Sequence, residues 1–369
     1  DLEDPRLVKV DDTLKTLQDL ARWHRSMTIV NGKPLTVIAL TGTNGKTTTK
    51  ELIREVLSVK YKVTATEGNL NNSIGVPLTL LKINSETELA VVEMGASHPG
   101  DIKELVDIAL PNYGLVTNVG KAHLLGFGSF EGVIKTKNEL YDYLRNTNGK
   151  VFLNNDNPLL KELAHDLTSV SYGKDDSADY KAAILSSNPY LSIKWNGMEI
   201  NTNLVGDYNF ENVMAAITVG CYFNIEQELI IKAFENYSPT NNRSQFIKTE
   251  KNEVVMDAYN ANPVSMSNSV RNFRNISDEN HLLILGDMKE LGDESLNEHQ
   301  EILNLVKSLS FNNVILVGSE FNKINSGFIS FLNVEELISH INRHYHSWEL
   351  HRLCSNHSIE DSFGCRKFC

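Results

Sequence analysis

The stretch LTGTNGKTTTKE (residues 40–51) decides the fold, and its spacing is unusual. A standard phosphate-binding loop has one glycine, four further residues and then Gly-Lys-Ser/Thr. In this chain only two residues separate Gly42 from Gly45, which Lys46 and Thr47 follow directly. The stretch therefore predicts a shortened nucleotide-binding loop, and a glycine turn that carries a surface lysine is the alternative.

The segments on either side of the loop favour nucleotide binding. The apolar run LTVIAL (35–40) precedes the loop and is typical of a buried strand. The run TTKELIREVLSV (48–59) follows it and places Leu52, Ile53 and Val56 on one face of a predicted helix. A strand, a glycine loop and a helix in this order form the setting in which such a loop binds phosphates.

The chemistry of the loop follows from simple electrostatics. Amides at the helix N-terminus point at phosphate oxygens, and Lys46 places a cation near the β and γ phosphates. The hydroxyl of Thr47 can bind Mg²⁺. The predicted nucleotide-binding residues of the loop are Gly42, Thr43, Asn44, Gly45, Lys46, Thr47 and Thr48.

Further apolar runs extend the predicted sheet. LAVVEM (89–94), YGLVTNV (113–119) and KVFLN (150–154) alternate with helical stretches, which predicts an α/β fold with a mostly parallel, P-loop-type sheet. Short strands with polar flanks around residues 168–206 predict an antiparallel addition. The polar segment NYSPTNN (236–242) is the predicted domain boundary.

A second, smaller α/β domain is predicted after that boundary. The apolar runs NEVVMDAY, HLLILGD and NNVILVG alternate there with predicted helices near residues 264–274 and 295–308. Alternating strands and helices again predict parallel pairing.

Two other strands end in side chains that a metal-nucleotide site needs. Glu93 stands at the carboxyl end of the run at 89–94, and His123 lies in a glycine-bearing loop just beyond the run at 113–119. Open α/β sheets bind ligands at this edge, so both are candidate Mg²⁺ ligands together with Thr47. A strand-end acid that faces water and a structural histidine are the alternatives.

The composition limits the function classes. A formal net charge of −12 and a pI near 5.4 argue against nucleic-acid binding. No apolar run has the length of a membrane span. The chain has only 4 cysteines in 369 residues, so no disulfide framework is expected and the cytoplasm is the predicted compartment.

Seven segments of the chain resemble the Mur ligases in the same order, from about residue 35 to residue 340. They are TGTNGKTTTKE, EGNLNNSIGVPLTLL, VVEMGASHPGDI, NVGKAHLLGFGSFEGVIKTKNEL, GDYNFENVMAAI, DAYNANPVSM and LGDMKELGDES. The resemblance explains the short loop, because this family carries the Gly-Thr-Asn-Gly-Lys-Thr spacing. It implies a central ATP-binding domain at 35–237 and a C-terminal Rossmann-like ligase domain at 238–342.

The resemblance also implies roles for single residues. Lys46 would contact the γ-phosphate, and Glu93 and His123 would bind two Mg²⁺ ions together with Thr47. Lys137, in KTKNEL, matches the lysine that Mur ligases carry as a carbamate on the second metal. A solvated lysine on a helix is the reading of Lys137 without the resemblance.

Four more residues match the nucleotide site of the family. Asn209 and Asn212, in GDYNFEN, match the asparagines that face adenine. Arg243 and Asp257 resemble residues of the second domain that reach the phosphates and the ribose. The residues implied in catalysis are Lys46, His123, Lys137 and Arg243.

The implied activity is ATP-dependent amide-bond formation through an acyl phosphate. The implied substrates are UDP-N-acetylmuramoyl-tripeptide and D-alanyl-D-alanine, which are used in peptidoglycan synthesis. The protein is expected to be a monomer. Two alternatives stay open: a non-catalytic fragment that still binds nucleotide, and a related ligase such as folylpolyglutamate synthetase. The segments GNLNNSIGVPLTLL and DAYNANPVSM argue against the latter.

Both ends of the chain depart from the family pattern. Residues 1–34 are expected to be the tail of a UDP-sugar-binding N-terminal domain. Residues 343–369 show no strand or helix period and are expected to be a disordered tail. A zinc site is the alternative for this tail, with candidate ligands His344, His346, His351, Cys354 and His357.

Overall fold

The computed structural model describes residues 4, 6–240, 243–250, 252–276, 281–344 and 351–355. Contacts divide the chain into two compact units, each described by itself below. Unit 1 contains Asp1–Val119, Glu131–Lys181 and Glu211–Ala233. Unit 2 contains Gly120–Phe130, Ala182–Phe210 and the described residues from Phe234 onward.

The strands, in chain order, are β1 (Ile29–Val30), β2 (Lys33–Pro34), β3 (Thr36–Thr41), β4 (Val63–Ala65), β5 (Leu89–Glu93), β6 (Tyr113–Val116), β7 (Lys150–Asn154), β8 (Ser169–Gly173), β9 (Tyr180–Ser186), β10 (Tyr190–Trp195), β11 (Met198–Val205), β12 (Gln245–Lys248), β13 (Glu253–Met256), β14 (His281–Gly286), β15 (Val314–Val317), β16 (Ile329–Phe331) and β17 (His351–Ser355).

The α-helices, in chain order, are α1 (Thr13–Met27), α2 (Lys46–Ser58), α3 (Gly75–Leu81), α4 (Asp101–Ala109), α5 (Leu124–Phe127), α6 (Phe130–Thr147), α7 (Pro158–Leu163), α8 (Phe210–Tyr222), α9 (Gln227–Asn236), α10 (Pro263–Ile276), α11 (Ser295–Ser308), α12 (Ser319–Asn322) and α13 (Val334–His344).

Unit 1 is built on a parallel sheet with the strand order β8-β7-β6-β3-β5-β4. The chain leaves β3 through α2 toward β4 at one edge, and after β5 it crosses through α4 to β6 on the other side of β3. The carboxyl end of β3 therefore lies where the direction of winding reverses. Open α/β sheets bind ligands at such a point, and in this chain the glycine loop begins there.

The sequence of unit 1 explains why this sheet is central. β5 is buried along all five residues, and β3 is buried along all but its first residue. Continuous apolar strands of this kind are covered by helices on both faces. A core cluster packs α1, α3 and α4 against the sheet, and its fully buried members include Ala21, Val76 and Leu80. The predicted α/β fold with a mostly parallel sheet is confirmed.

Unit 2 carries the predicted antiparallel addition and a second sheet. β9, β10 and β11 pair as consecutive antiparallel strands. β8 also lies within the range 168–206, but it pairs in parallel with β7. The second sheet has the order β12-β13-β17-β14-β15-β16, and every pair except β12 with β13 is parallel. Helices α10 and α11 match the predicted helices near 264–274 and 295–308.

Strand β17 corrects the expectation of a disordered tail at five residues. His351–Ser355 pairs in parallel with β13 on one side and with β14 on the other. Each inner strand of a parallel sheet needs hydrogen-bond partners on both edges, and β17 supplies them to both neighbours. The run HRLCS has no clean apolar period, so pairing with distant strands decides its conformation. Residues 345–350 and 356–369 lie outside the described residues.

The two units defined by contacts do not follow the predicted domain boundary near residue 238. Residues 120–130 and 182–210 precede that boundary but belong to unit 2. The functional domain limits therefore stay a prediction. In the part of the chain that the structure describes, no helix is long and apolar enough to cross a membrane.

Candidate functional site

The glycine loop of unit 1 joins the end of β3 to the start of α2. Gly42 and Gly45 have φ angles of 143° and 78°, in the region that favours glycine. A Cβ on Gly42 would lie 2.0 Å from Thr117 Oγ1, and a Cβ on Gly45 would lie 2.5 Å from Asn212 Oδ1. Both glycines are therefore required by backbone angle and by close neighbours.

Polar contacts from the end of β6 brace the loop. The amides of Thr43 and Asn44 donate to the carbonyl oxygen and to Oδ1 of Asn118, both at 2.9 Å. The hydroxyl of Thr117 donates to the carbonyl oxygen of Asn44 at 2.6 Å. These two amides are predicted to face phosphate, but in the structure they donate hydrogen bonds to Asn118 instead. The remaining predicted donors, through Thr48, lie at Gly45 and in the first turn of α2.

The predicted phosphate lysine lies over the loop. Lys46 Nζ donates to the carbonyl oxygens of Gly42 at 2.8 Å and Thr43 at 2.9 Å. Asn212, at the start of α8, is buried, and its Oδ1 accepts from Thr49 Oγ1 at 2.9 Å. The structure therefore brings Asn212 onto the glycine loop, and its predicted contact with adenine stays a prediction.

Glu93 and Thr47 meet behind the loop, as the predicted metal site requires. Thr47 Oγ1 donates to Glu93 Oε1 at 3.1 Å, and Asn71 Nδ2 donates to the same oxygen at 2.8 Å. The backbone amide of Glu93 donates to Thr66 Oγ1 at 2.9 Å. These contacts fix the carboxylate at the end of β5.

The second carboxylate oxygen of Glu93, Oε2, differs from Oε1 in its hydrogen bonding. Glu93 is 1% exposed, and its Oε2 has no hydrogen-bond partner among the described residues. A buried carboxylate oxygen without a donor is costly, and a bound cation would satisfy it. Carboxylate and hydroxyl oxygens are ligands that Mg²⁺ prefers. Glu93 and Thr47 therefore fit a magnesium ion.

Lys137 lies on the buried face of α6 and is only 3% exposed. Burial lowers the pKa of its ammonium group to about 7, and the charge of Lys46 acts in the same direction. Asp101 and Glu139 act in the opposite direction and raise the pKa. A large part of the Lys137 side chains would therefore carry a neutral amine at neutral pH. A neutral amine can react with CO₂, whereas an ammonium ion cannot.

The remaining predicted residues lie in unit 2. His123, with φ of 52°, precedes α5 and its Nδ1 contacts the carboxylate of Glu290. The guanidinium of Arg243 lies 3.7 Å above the ring of Tyr259. The amide Nδ2 of Asn209 donates to the carbonyl oxygen of Val205 at 2.9 Å.

Asp257 is held by hydrogen bonds within unit 2. Its Oδ1 accepts from the amide of Ser244 at 3.3 Å, and its Oδ2 accepts from the hydroxyl of Ser269. Burial raises the pKa of Asp257, while the Ser269 hydrogen bond and the charge of Arg243 oppose that rise. The hydroxyl of Tyr208 pairs with Ser244 Oγ at 2.6 Å and extends this network.

No group of three or more His, Cys, Asp or Glu side chains that could hold a metal ion occurs among the described residues. The predicted magnesium ligands include the hydroxyl of Thr47 and a modified Lys137, which do not belong to these four residue types. The side chains of the zinc alternative, at 344–357, lie outside the described residues.

Comparison with known proteins decides the family. The Mur ligase middle domain matches residues 40–220, and the Mur ligase, glutamate ligase domain matches residues 242–343. UDP-N-acetylmuramoyl-tripeptide–D-alanyl-D-alanine ligase of Bacillus subtilis is 36% identical over 304 residues, which are 81% of this chain and 65% of that protein. The Buchnera aphidicola protein of the same name is 33% identical over 349 residues, 91% of this chain and 74% of that protein. The chain belongs to the Mur ligase family.

The solved structures agree with the sequence relatives. The crystal structure of MurF ligase from Thermotoga maritima in complex with ADP has a TM-score of 0.83 and 25% identity to this Mur ligase chain. The match covers 97% of this chain and 83% of that chain. The predicted resemblance and fold class are thus confirmed. The chain spans 65% of the length of the Bacillus relative and 74% of the Buchnera relative.

Several residues of this Mur ligase that shape the site carry no predicted role in the sequence analysis. Thr117 and Asn118 brace the glycine loop. Ser244 and Ser269 hold Asp257. All are small polar residues. Ser269 lies within α10 and the others lie at strand ends or in loops, and their partners are 12 to 74 positions away in sequence. The pattern TN directly after an apolar strand is the one local signal that could have indicated Thr117 and Asn118.

Proposed function

We propose that this chain carries the catalytic chemistry of an ATP-dependent ligase that joins D-alanyl-D-alanine to UDP-N-acetylmuramoyl-tripeptide. The names of its relatives support this substrate pair, and the relative solved with ADP supports ATP as the energy source. The single observation that carries the proposal is the buried Thr47–Glu93 pair directly beside the phosphate loop. One carboxylate oxygen of this pair has no hydrogen-bond partner in the part of the chain that the structure describes.

The proposed reaction has two steps. A carboxylate oxygen of the tripeptide attacks the γ-phosphorus of ATP, the bond to the β-γ bridging oxygen breaks, and ADP leaves. The product is an acyl phosphate. The amine of D-alanyl-D-alanine then attacks the acyl carbon, loses a proton and expels inorganic phosphate, which leaves the amide bond.

The loop and α2 would hold the nucleotide in the first step. The first turn of a helix presents amides without intrahelical partners, and its dipole favours a phosphate. Lys46 holds an ammonium group at the same place and would offset the charge that collects on the transferred phosphoryl group. Asn209, Asn212, Arg243 and Asp257 are the further residues that we propose for nucleotide binding.

Glu93 and Thr47 would hold magnesium. His123 and Lys137 are the further magnesium ligands that we propose. Magnesium bound there would neutralise phosphate charge. Lys137 would serve as a carbamate, because an unmodified ammonium would repel a cation. The buried position and the lowered pKa of Lys137 support this modification. We further propose that the ligase acts as a monomer in the cytoplasm. The small number of cysteines supports that compartment.

A coupled assay tests the proposal directly. Phosphate release from ATP should require both UDP-N-acetylmuramoyl-tripeptide and D-alanyl-D-alanine, and mass spectrometry should detect the pentapeptide product. Lys46→Ala should abolish release. Mg-ATP binding without product would favour the non-catalytic fragment instead. Turnover with a folate and glutamate, but not with the peptide substrates, would favour the folylpolyglutamate synthetase reading.

A further inference from the structure

The motif GDMKELG (286–292) of unit 2 forms a loop that is anchored at its start. Both carboxylate oxygens of Asp287 accept backbone amides of α12, from Glu320 at 2.8 Å and from Phe321 at 3.0 Å. The amide of Met288 donates to Nε2 of His299, which is fully buried. These contacts fix the backbone of the loop just before Glu290.

Glu290 projects from this fixed loop toward the segment 121–125. It has a left-handed φ of 63°, an uncommon angle for a glutamate. Its carboxylate contacts His123 Nδ1, and its carbonyl oxygen accepts from the amide of Leu125 at 3.5 Å. An ion pair between Lys121 Nζ and Glu298 Oε1, at 3.0 Å, holds the same segment from α11.

The contact with Glu290 determines which imidazole nitrogen of His123 carries a proton. A carboxylate can only accept a hydrogen bond, so the Nδ1 of His123 must carry the proton that it donates. When the ring is neutral, its lone pair is then on Nε2. Histidines that bind metal ions usually have their second nitrogen fixed by a carboxylate in this way.

We propose that Glu290 is a positioning residue that fixes the tautomer and orientation of His123, so that Nε2 is the nitrogen available as a ligand. The proposal rests on the proposed function, in which His123 binds magnesium. It also assigns a role to the motif GDMKELG: the loop presents Glu290 to His123. Nothing in the sequence links these two residues, which stand 167 positions apart.

The exposure of the His123 and Glu290 side chains favours a positioning role for their contact over a stabilising one. The side chains of His123 and Glu290 are 35% and 58% exposed. At such exposure even a fully charged pair contributes little to stability, because water screens the charges and two side chains lose freedom. Removing the Glu290 carboxylate should therefore leave the unfolding temperature nearly unchanged while the order of His123 is lost.

The experiment compares Glu290→Ala with Glu290→Gln and with the control Asp293→Asn, which changes an exposed acid directly after the loop. Nitrogen-15 NMR of the histidine rings reports which nitrogen of His123 is protonated, and hydrogen exchange reports the Leu125 amide. The Mg²⁺ concentration for half-maximal ATP turnover is the third measurement. Thermal unfolding checks that each variant is folded.

In Glu290→Ala, we expect His123 to lose its preference for the Nδ1 proton and Leu125 exchange to rise. We also expect the Mg²⁺ requirement to rise about 10-fold, the low end of effects for residues that orient a metal ligand. Glu290→Gln should restore the tautomer, because its carbonyl oxygen still accepts, and Asp293→Asn should match the wild type.

An unchanged tautomer in Glu290→Ala would overturn the proposal, as would a lost tautomer with an unchanged Mg²⁺ requirement. If the wild type shows no turnover, the proposed function fails separately. A calorimetric Mg²⁺ titration in the presence of ATP then replaces turnover as the third measurement, with the same two deciding outcomes.

Discussion

At the scale of the residue, Lys137 shows what burial does to one group. A lysine in water keeps its ammonium form up to a pKa of about 10.5, but burial lowers the pKa of Lys137 to about 7. Between these two values the unfolded chain binds more protons at this site than the folded chain. Lys137 therefore stabilises the folded chain progressively more as the pH rises from about 7 to 10.5.

The same pKa makes carbamate formation at Lys137 depend on pH. The neutral amine reacts with CO₂, so the carbamate should be present at about pH 8 and should decline below about pH 7, following the pKa of Lys137. Carbon-13 NMR with labelled bicarbonate should show one slowly exchanging carbamate signal at the higher pH. Lys137→Ala should lack that signal, whereas Lys135→Ala, which removes an exposed lysine of the same helix, should keep it. A signal that survives in Lys137→Ala would assign the modification to another amine.

Removing Lys137 should separate catalysis from nucleotide binding. Lys137→Ala should abolish ligation and any ATPase activity, because the proposed oxygen ligand is lost, while ATP affinity measured by calorimetry stays within a few-fold. Acetate or formate at high concentration should partly restore the rate by supplying an oxygen ligand. Lys46→Ala should show no such rescue, since its phosphate contact needs a cation. A fully active Lys137→Ala enzyme would remove the carbamate from the mechanism.

At the scale of the element, the start of α2 depends on one glycine. Gly45 combines a left-handed φ of 78° with a neighbour, Asn212 Oδ1, only 2.5 Å from where a Cβ would stand. Gly100, before α4, has a similar φ of 90° but open space around it. The two positions therefore share the backbone strain and differ in the steric contact.

This difference predicts two outcomes for the same substitution. Gly100→Ala should lower the free energy of unfolding by roughly 1–3 kcal/mol, the usual range for a strained backbone residue, and should leave ATP binding intact. Gly45→Ala should be more destabilising and should also abolish Mg-ATP binding, because the loop must shift away from Asn212. Chemical denaturation and calorimetry measure both effects. Equal ATP affinity in the two variants would show that the loop tolerates a methyl group at Gly45.

At the scale of the whole molecule, nucleotide binding should stabilise the chain whether or not ligation occurs. A ligand at 100 times its dissociation constant adds about 2.7 kcal/mol to the free energy of unfolding. Mg-ATP should therefore raise the unfolding temperature measurably in a folded sample. Glu93→Gln should reduce this shift, because the buried oxygen that fits Mg²⁺ loses its charge. Glu86→Gln, which changes an exposed acid, should not. A folded wild-type sample with no shift and no calorimetric signal would contradict nucleotide binding.

Local rules account for the elements that the sequence predicts well. The strands at 36–41 and 89–93 and the helix at 46–58 follow from apolar period and from the glycine loop between them. Thr47 and Glu93 could be paired from sequence, because parallel strands end at one edge of the sheet. These inferences need only the covalent order of the residues and the geometry of strand and helix.

The sequence by itself therefore determined the family, the α/β class and the position of the phosphate loop. Tertiary structure alone decided that β17 enters the second sheet, that Asn118 and Asn71 brace the site, and that Glu290 meets His123. It also decided the low pKa of Lys137. The physical reason is that hydrogen-bond pairing and desolvation depend on neighbours that are distant in the chain, and no local period records them.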